Sequence, residues 1–293
     1  ANEEQFIFPL CTSIGFDLTI TSTFLPLITG GELIIYQEAA NGPDISLIEV
    51  VTQNKVNAIK LTPSHLVLIK DHNMANSKIK TMIVGGEDFK SSLAETIQTS
   101  FGKNLRIHNE YGPTEATIGC IVLTYQSDLH RNISVPIGEA ISGMSALILD
   151  KAYNNVPDGV TGELFLSGLG LAEGYVGLPE LTSEKFIENP FNPKQRIYKT
   201  GDLVRKNKNG NIVFLSRIDE QVKLRGYRLE LSEIEVMLQQ HDNITNAAVV
   251  VIENEQVVPP DKVTNCSECG LPSNYPKIDF DDNQVCQICV AFK

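Results

Sequence analysis

The feature that most constrains the fold of this chain is a regular alternation of apolar helical segments with short buried strands between residues 16 and 125. Repeated alternation of this kind predicts an α/β fold with a largely parallel sheet, in which ligands bind beyond the carboxyl ends of the strands. Two glycine-containing turns, at 85–86 and 110–112, end such strands and mark the expected site. Periodicity predicts helices over 22–28, 45–53, 64–70 and 92–99, and strands over 32–36, 58–61, 81–84 and 106–109.

The pattern changes after residue 133 to short strands that are separated by glycine and proline, which is typical of a small β subdomain. After residue 218 a strand over 221–225, a helix over 231–240 and a strand over 247–252 predict the start of an α+β unit. We therefore predict four parts, namely an αβ unit at 1–133, a small β subdomain at 134–218, the start of an α+β unit at 219–258 and a cysteine-bearing segment at 259–293.

The charge balance argues against nucleic acid as a partner. The chain has 24 Lys and Arg against 36 Asp and Glu, giving a formal net charge of −12, so no basic surface is available for a phosphate backbone. Apolar runs fall far short of the ~20 residues that cross a bilayer, and no basic stretch followed by an apolar one opens the chain. We expect a cytoplasmic protein without membrane partners. The start at Ala1, without an initiator Met, suggests a chain that begins inside a larger polypeptide.

Four of the six cysteines lie in the last 28 residues as two CxxC pairs, 16 residues apart. This spacing predicts a structural zinc site with four thiolate ligands in a zinc-ribbon-like knuckle, and redox-active or incidental thiols are the alternative. The isolated Cys11 and Cys120 give no disulfide pattern, which favours a reducing compartment. The predicted zinc ligands are Cys266, Cys269, Cys286 and Cys289.

Several longer motifs follow one another in a fixed order. They read NEYGPTEAT at 109–117, GEL to GY at 162–175, YKTGDLVR at 198–205 and RIDEQVKLRGYRLE at 217–230. Together they resemble the core motifs of the adenylate-forming, AMP-binding superfamily, and specifically the amino-acid adenylation domains of nonribosomal peptide synthetases, over about residues 6–255. The resemblance implies that 1–133 is the distal half of the αβ adenylation core and that 219–258 begins its mobile C-terminal domain.

The resemblance also implies an activity and its partners. An α-amino acid would be activated with ATP and Mg²⁺ as an aminoacyl-AMP, and then loaded onto the phosphopantetheine thiol of a peptidyl carrier protein beside other synthetase modules, as in antibiotic biosynthesis. Phosphate oxygens gain charge in such a reaction, and a metal ion and polar donors must stabilise it. Glu115 matches the magnesium-contacting carboxylate, Thr114 a phosphate-contacting hydroxyl and Asp219 a hinge between conformations. The implied nucleotide-binding residues are Gly85, Gly86, Glu87, Asn109, Tyr111, Asp202 and Arg217.

The same resemblance identifies the amino-acid pocket. Asp17 matches the acid that pairs with the substrate α-ammonium group. Lys60 donates hydrogen bonds and Glu110 accepts them, so together they suit a side-chain carboxamide. This set resembles the asparagine-activating pocket of the family and predicts L-asparagine, although a structural salt bridge that faces elsewhere is the alternative. The implied substrate-binding residues are Asp17, Leu18, Thr21, Lys60, Ile83, Gly85, Glu110, Ile118 and Gly119.

Some family features are missing. The upstream glycine-rich loop with its lysine and the C-terminal lysine that contacts the substrate carboxylate are not in this sequence, so we expect this fragment alone to be inactive. Ser216 and Ser232 stand where glycine is usual. The cysteine-bearing segment resembles the start of a sugar-amidotransferase-type ATP-pyrophosphatase.

Two other functions are compatible with the sequence. One is an acyl-CoA or aryl-acid ligase of the same superfamily, which would have no use for Asp17. The other is a noncatalytic scaffold in which the zinc knuckle binds a partner, and which would not need to retain nucleotide binding.

Overall fold

The computed structural model describes residues 5–36, 46–130, 133–219, 221–224, 227–241, 244 and 247–251. The chain divides into two compact units, at 1–230 and 231–293. Within the described residues, no helix is long and apolar enough to cross a membrane. The four cysteines of the predicted zinc site lie outside these residues, as does the remainder of the segment 252–293.

The first sheet has five strands in the order β3-β4-β5-β6-β7. Its first three strands are parallel, which confirms the predicted α/β arrangement, and its last two are antiparallel. These strands are β3 (Ala58–Leu61), β4 (Thr81–Gly85), β5 (Arg106–Tyr111), β6 (Ile121–Thr124) and β7 (Glu139–Ala140). The helices of this part are α1 (Leu18–Ile28), α2 (Ser46–Gln53), α3 (Pro63–Ile69) and α4 (Ser91–Phe101).

One predicted strand joins a different sheet. The strand β2 (Glu32–Ile35) pairs in parallel with β1 (Ile7–Leu10), and these two strands form a sheet of their own. The polar turn at Asn57 links β1 to the main part, because its side-chain oxygen accepts a hydrogen bond from the backbone N–H of Ile7 at 2.8 Å. The β1 strand itself was not predicted, since its short apolar run carries no alternation.

The turn after β3 shows how local sequence fixes the geometry near the site. Thr62 caps α3, its side chain accepting a hydrogen bond from the backbone N–H of His65 while the His65 ring accepts one from the backbone N–H of Thr62. Pro63 occupies the first turn, where its missing N–H is not needed. The helix α3 therefore begins directly after Thr62, one residue beyond the end of β3, the strand that contains Lys60 and is buried along its whole length.

The second sheet is antiparallel and contains the longest strand of the described chain. Its strands follow the order β10-β11-β9-β8, and β12 also pairs with β11. A helix α5 (Pro179–Lys185) precedes β10. The strands are β8 (Met144–Leu149), β9 (Thr161–Gly168), β10 (Phe186–Asn189), β11 (Asn192–Lys206) and β12 (Ile212–Arg217).

Two apolar clusters hold these sheets. One lies between the first sheet and its helices and includes Val50, Leu66 and Met82, all fully buried. The other joins side chains from both sheets, with Tyr111 from β5 packed in the same cluster as Tyr198 from β11. Because the clusters share the strand β5, the end of the parallel sheet and the middle of β11 are held close together.

A hairpin of β13 (Val222–Leu224) and β14 (Tyr227–Leu229) ends the first unit. In the second unit, the predicted helix is confirmed as α6 (Leu231–Gln239). The predicted strand over 247–252 is wrong for its described residues, 247–251, which form no strand. The backbone N–H of Val249 donates instead to the carboxylate of Glu235 at 2.9 Å, so a helix side chain takes the place of a strand partner.

Candidate functional site

A cavity of about 430 Å³ lies at the carboxyl ends of the parallel strands, where the sequence predicts a site. It is lined by charged and aromatic side chains from both sheets. A neighbouring cavity of about 400 Å³ shares part of its wall, including Tyr111 and Arg217. The predicted site residues on the wall of the first cavity are Asp17, Leu18, Lys60, Gly85, Gly86, Glu110, Tyr111, Thr114, Ile118, Asp202 and Arg217.

A buried ion pair lies at one end of the first cavity. The ammonium group of Lys60 contacts Oε2 of Glu110, and the two side chains are 2% and 17% exposed. Lys60 also donates a hydrogen bond to Oγ1 of Thr21 at 2.8 Å. Both charged residues line the cavity, so the pair does not face elsewhere.

Two glycines make room for Glu110. A Cβ atom at Gly119 would lie 2.2 Å from Oε1 of Glu110, and a Cβ atom at Gly85 would lie 2.5 Å from its backbone oxygen. Both distances are far below van der Waals contact, so a side chain at either position would displace Glu110. Gly119 therefore acts on the pocket through Glu110, although it is not part of the cavity wall.

The loop that follows β5 is strained. Thr117 and Ile118 have φ values of 56° and 75°, a left-handed region that is an outlier for β-branched residues. Gly112 permits the loop to fold back, because a Cβ atom there would lie 1.7 Å from the backbone oxygen of Ile118. The hydroxyl of Thr117 fastens the loop by donating to the backbone oxygen of Gly170 at 2.6 Å. The result is that Ile118 is held against the cavity.

The same loop brings Thr114 to Asp17. The Thr114 hydroxyl donates a hydrogen bond to Oδ2 of Asp17, and both side chains line the cavity. The predicted phosphate contact and the predicted ammonium contact are therefore direct neighbours.

Asp202 is at the centre of a second charged group. It lies opposite Arg217 in the pairing of β11 with β12, and Nη1 of Arg217 donates to its Oδ1 at 2.7 Å. The Tyr111 hydroxyl donates to the other carboxylate oxygen. Burial raises the pKa of Asp202, and the hydrogen bond from Tyr111 and the charge of Arg217 act against that rise. Burial and the neighbouring Asp202 also place the pKa of Tyr111 well above its usual value.

The remaining donors of Arg217 contact Asp219. Nε and Nη2 of Arg217 donate to the two carboxylate oxygens of Asp219 at 2.6 and 2.8 Å, a paired geometry suited to guanidinium. Burial disfavours the charge of Arg217, but its hydrogen bonds and the two acids raise its pKa overall. Lys223 from β13 lines both cavities, and its charge acts against the burial-induced rise in the pKa of Asp202. Sequence reasoning missed Lys223, although it lies inside the motif at 217–230.

Glu115 lies behind the cavity wall rather than on it. It is 7% exposed, and the Tyr175 hydroxyl donates to its Oε1 at 2.6 Å. Tyr198 does line the cavity, and Tyr175 and Glu115 are among the neighbours that affect its pKa. Burial and the negative charge of Glu115 raise the pKa of Tyr198. Sequence reasoning missed both tyrosines as site residues, and the signal that could have found them is their presence in the motifs at 162–175 and 198–205.

Three predicted residues are placed less directly. The side-chain amide of Asn109 donates to the backbone oxygens of Val135 and Pro136, so it fixes the chain while it lines the second cavity. Oε2 of Glu87 accepts from the backbone N–H and the hydroxyl of Ser64, at 3.0 and 2.6 Å. Ile83 is paired with Lys60 across β3 and β4 and is not on the wall of either cavity.

Glu115 is the predicted magnesium-contacting residue. Mg²⁺ is commonly held in nucleotide sites by one or two carboxylates together with substrate phosphates. The described part of the chain contains no group of three or more His, Cys, Asp or Glu side chains that could hold a metal by itself. Glu115 offers one carboxylate for such an arrangement, and it is on the wall of neither cavity. Nothing in these residues bears on zinc.

Known proteins resemble this chain over most of its length. It is 48% identical over 258 residues to bacitracin synthase 3 of Bacillus licheniformis, which covers 87% of this chain and 4% of that protein. The structure of holo-PA1221, described as a nonribosomal peptide synthetase protein containing adenylation and carrier (PCP) domains, has a TM-score of 0.77 and 27% identity, and the match covers 85% of this chain and 44% of that one. A third match is the Vibrio cholerae adenylation domain AlmE in complex with glycyl-adenosine-5′-phosphate, with a TM-score of 0.73, 26% identity and coverage of 92% and 49%.

These matches, together with a family match, assign the chain to a family. This chain spans only a small part of the synthase, and about half of each solved chain. The model of the AMP-binding enzyme family matches residues 2–176, which is more than half of the chain. The matched range includes the strand ends, the strained loop and Glu115. This chain therefore belongs to the AMP-binding enzyme family.

Proposed function

We propose that this chain is part of an enzyme that activates an α-amino acid with ATP as an aminoacyl-AMP and transfers it to the phosphopantetheine thiol of a carrier protein. The observation that carries the proposal is one cavity lined by Asp17, Thr114 and Asp202. These side chains suit an ammonium group, a phosphate oxygen and a ribose diol, which are the polar ends of an aminoacyl-AMP. A matched solved structure holds glycyl-adenosine-5′-phosphate, which is a compound of this class.

In the proposed reaction the substrate carboxylate attacks the α-phosphorus of ATP, forming a C–O–P bond while the bond to pyrophosphate breaks. Asp17 would hold the substrate ammonium group, and the Thr114 hydroxyl would then turn from Asp17 to a phosphate oxygen. Asp202 retains lone pairs for the ribose hydroxyls, because a carboxylate offers about four acceptor sites and Tyr111 and Arg217 take two. Bound Mg²⁺ would neutralise charge on the phosphate oxygens.

Transfer to the thiol requires a second arrangement of the site. We propose Asp219 as the hinge for this change, since its carboxylate is held by two hydrogen bonds from Arg217 just before the hairpin of β13 and β14. Release of that pair would free Arg217 for the nucleotide and change the direction of the following chain.

The proposed substrate is L-asparagine. The Lys60 ammonium group has three N–H donors, of which Thr21 and Glu110 accept two, and the third can donate to the oxygen of a carboxamide. Glu110 can accept from the carboxamide NH₂ group. The substrate would thus complete the ion pair without adding a charge, whereas aspartate would place a second carboxylate beside Glu110.

A pyrophosphate-exchange panel on the complete protein tests both parts of this proposal. We expect asparagine to exchange best, with aspartate slower by a factor of 10 or more, because like charges in a desolvated pocket cost roughly several kcal/mol. Replacing Glu110 with His should move the preference towards aspartate. The matched change Glu139→His, on β7 at the edge of the first sheet, should leave the preference unchanged. Exchange with apolar amino acids only would overturn the asparagine assignment, and exchange with aryl or fatty acids only would overturn amino-acid activation.

We also propose that the segment 259–293 binds one structural zinc ion through Cys266, Cys269, Cys286 and Cys289. The support is the spacing of the two CxxC pairs. Its resemblance to an ATP-pyrophosphatase start is part of the same proposal.

A further inference from the structure

The side chain of Gln221 is buried on the wall that the two cavities share. This residue directly precedes β13 and is 5% exposed. It lines both the cavity of about 430 Å³ and the cavity of about 400 Å³. Among the described residues, no donor forms a hydrogen bond with its side-chain oxygen Oε1, which is itself buried. None of the roles assigned above involves Gln221.

The backbone holds Gln221 in place from both sides. Its N–H donates to Oδ1 of Asp219 at 3.3 Å, and the same carboxylate accepts the two hydrogen bonds from Arg217. On the other side the hairpin follows directly, with Val222 paired with Leu229. The amide is therefore presented to the cavities from a fixed stretch of chain.

A buried oxygen without a donor is unfavourable for the folded protein. Such an acceptor loses its hydrogen bond to water and gains no other in return, and buried polar groups in folded proteins are nearly always paired. An apolar side chain of similar size would avoid that loss. An amide at this place is therefore best explained by a ligand that supplies the donor.

The two cavity walls indicate which part of an aminoacyl-AMP reaches Gln221. Asp17, proposed above for the ammonium group, lines only the first cavity, and Asn109, from the nucleotide-binding set, lines only the second. Asp202, proposed for the ribose diol, lines both cavities, as Gln221 does. The ribose joins the phosphate to the base, so it belongs where the two cavities meet.

The diol has a use for a second acceptor. It offers two O–H donors, and both oxygens of Asp202 already accept a hydrogen bond, one from Tyr111 and one from Arg217. An amide oxygen adds an acceptor without adding a further negative charge beside Asp202 and Asp219. We propose that Oε1 of Gln221 accepts a hydrogen bond from one ribose hydroxyl and thereby favours ribonucleotides over deoxyribonucleotides, a proposal that rests on the proposed function.

The test measures nucleotide binding to the complete protein by isothermal titration calorimetry, without amino acid. The ligands are ATP, 2′-deoxy-ATP, 3′-deoxy-ATP and purine riboside triphosphate, which lacks the amino group of adenine. The variant Gln221→Met replaces the amide with an apolar side chain of similar length. We expect the variant to bind ATP roughly 3- to 10-fold more weakly, as for the loss of one hydrogen bond. The preference for ATP over one of the two deoxy analogues should shrink by the same factor, and the preference over purine riboside triphosphate should remain.

Two comparisons separate this contact from general damage. Gln126→Met, at an exposed residue on neither cavity wall, is the matched control and should change no affinity. Without ligand, Gln221→Met should unfold at a Tm no lower than that of the wild type, because it removes an unpartnered buried oxygen. Gln221→Leu, with a different shape, repeats the measurements if the first variant does not fold.

The possible results are distinct. Unchanged preferences over both deoxy analogues in a folded variant would overturn the proposal. A change confined to purine riboside triphosphate would overturn it as well, because the base would then be the group at Gln221, and so would unchanged nucleotide affinity with slower transfer to the thiol. If the wild type shows the expected preferences but exchanges no amino acid, this proposal stands and the proposed substrate class fails. A wild type that binds no nucleotide would overturn both.

Discussion

Two influences act in opposite directions on the charge of Asp202. It is 5% exposed, which disfavours its charge, and it accepts hydrogen bonds from both Tyr111 and Arg217, which favour it. The hydrogen bond from Tyr111 and the charge of Arg217 thus act against the burial that raises the pKa of Asp202. Arg217 also forms an ion pair with Asp219, so this guanidinium group links two acids at one end of the cavity.

This arrangement predicts the effect of removing Asp202. In the complete protein, Asp202→Ala should raise KM for ATP by a factor that corresponds to the ~1.5–3 kcal/mol of hydrogen bonds to a charged group. The buried Tyr111 hydroxyl also loses its acceptor, so the free energy of unfolding should fall by about 1–3 kcal/mol. Pyrophosphate exchange at varied ATP and urea unfolding give the two values. Asp158→Ala, at an exposed acid away from the cavity, is the control, and an unchanged KM for ATP would remove Asp202 from the site.

At this scale the sequence predicted the residues to which the family motifs assign a role, and it missed other residues of the same motifs, such as Tyr198 and Lys223, that also line the cavity. Asp17, Lys60 and Glu110 were predicted and do share one cavity wall. The motif at 162–175 points to Tyr175 but not to its partner, because its hydroxyl meets Glu115 only after a chain segment 60 residues away packs against that acid.

At the scale of elements, the loop between β5 and β6 determines the pocket. It contains two strained residues, Thr117 and Ile118, and it is bounded by Gly112 and Gly119, whose missing side chains leave room for the Ile118 backbone and for Glu110. Strain of this kind persists where the surroundings over-determine the conformation, as at binding sites. The pocket is therefore set by loop geometry as much as by the side chains that face the substrate.

The change Gly119→Ala tests that conclusion. The new Cβ atom would lie 2.2 Å from Oε1 of Glu110, so the acid must move away from Lys60. We expect KM for the amino acid to rise at least tenfold in pyrophosphate exchange, KM for ATP to stay near the wild-type value, and stability to fall by about 1–3 kcal/mol, as for overpacking. In the background Glu110→Ala the same change should have a much smaller effect, since the clashing side chain is absent. Equal effects in both backgrounds would argue against this contact.

Elements were predicted best where strands and helices alternate regularly along the sequence. The parallel strands β3, β4 and β5 match the prediction closely, because buried strands between amphipathic helices have a clear pattern. The pairing of β1 with β2 and the lack of a strand over 247–251 depend on which partner is nearby, and a single segment does not encode that.

At the scale of the whole molecule, the cysteine-bearing segment gives a prediction that is independent of the cavity. Metal analysis of the intact chain should find about one zinc ion per chain, and Cys266→Ser or Cys289→Ser should abolish it, because structural thiolate sites depend on all four ligands. Cys120→Ala is the matched control, since Cys120 is buried in the apolar cluster next to Tyr111 and should not affect the zinc content. Metal-free protein with a folded C-terminal segment would contradict the prediction.

The side chains of the strand β11 limit where insertions and deletions in this protein can be tolerated. This one strand contains Tyr198, which packs against Phe186, and Asp202, which contacts Arg217, and its register already shifts between Lys199 and Leu203. A further insertion or deletion inside it would turn side chains to the opposite face, because successive strand residues alternate. Tyr198 and Asp202 would then both leave their present surroundings. Length changes in descendants of this gene should therefore accumulate in turns such as 207–211, while β11 keeps a constant number of residues.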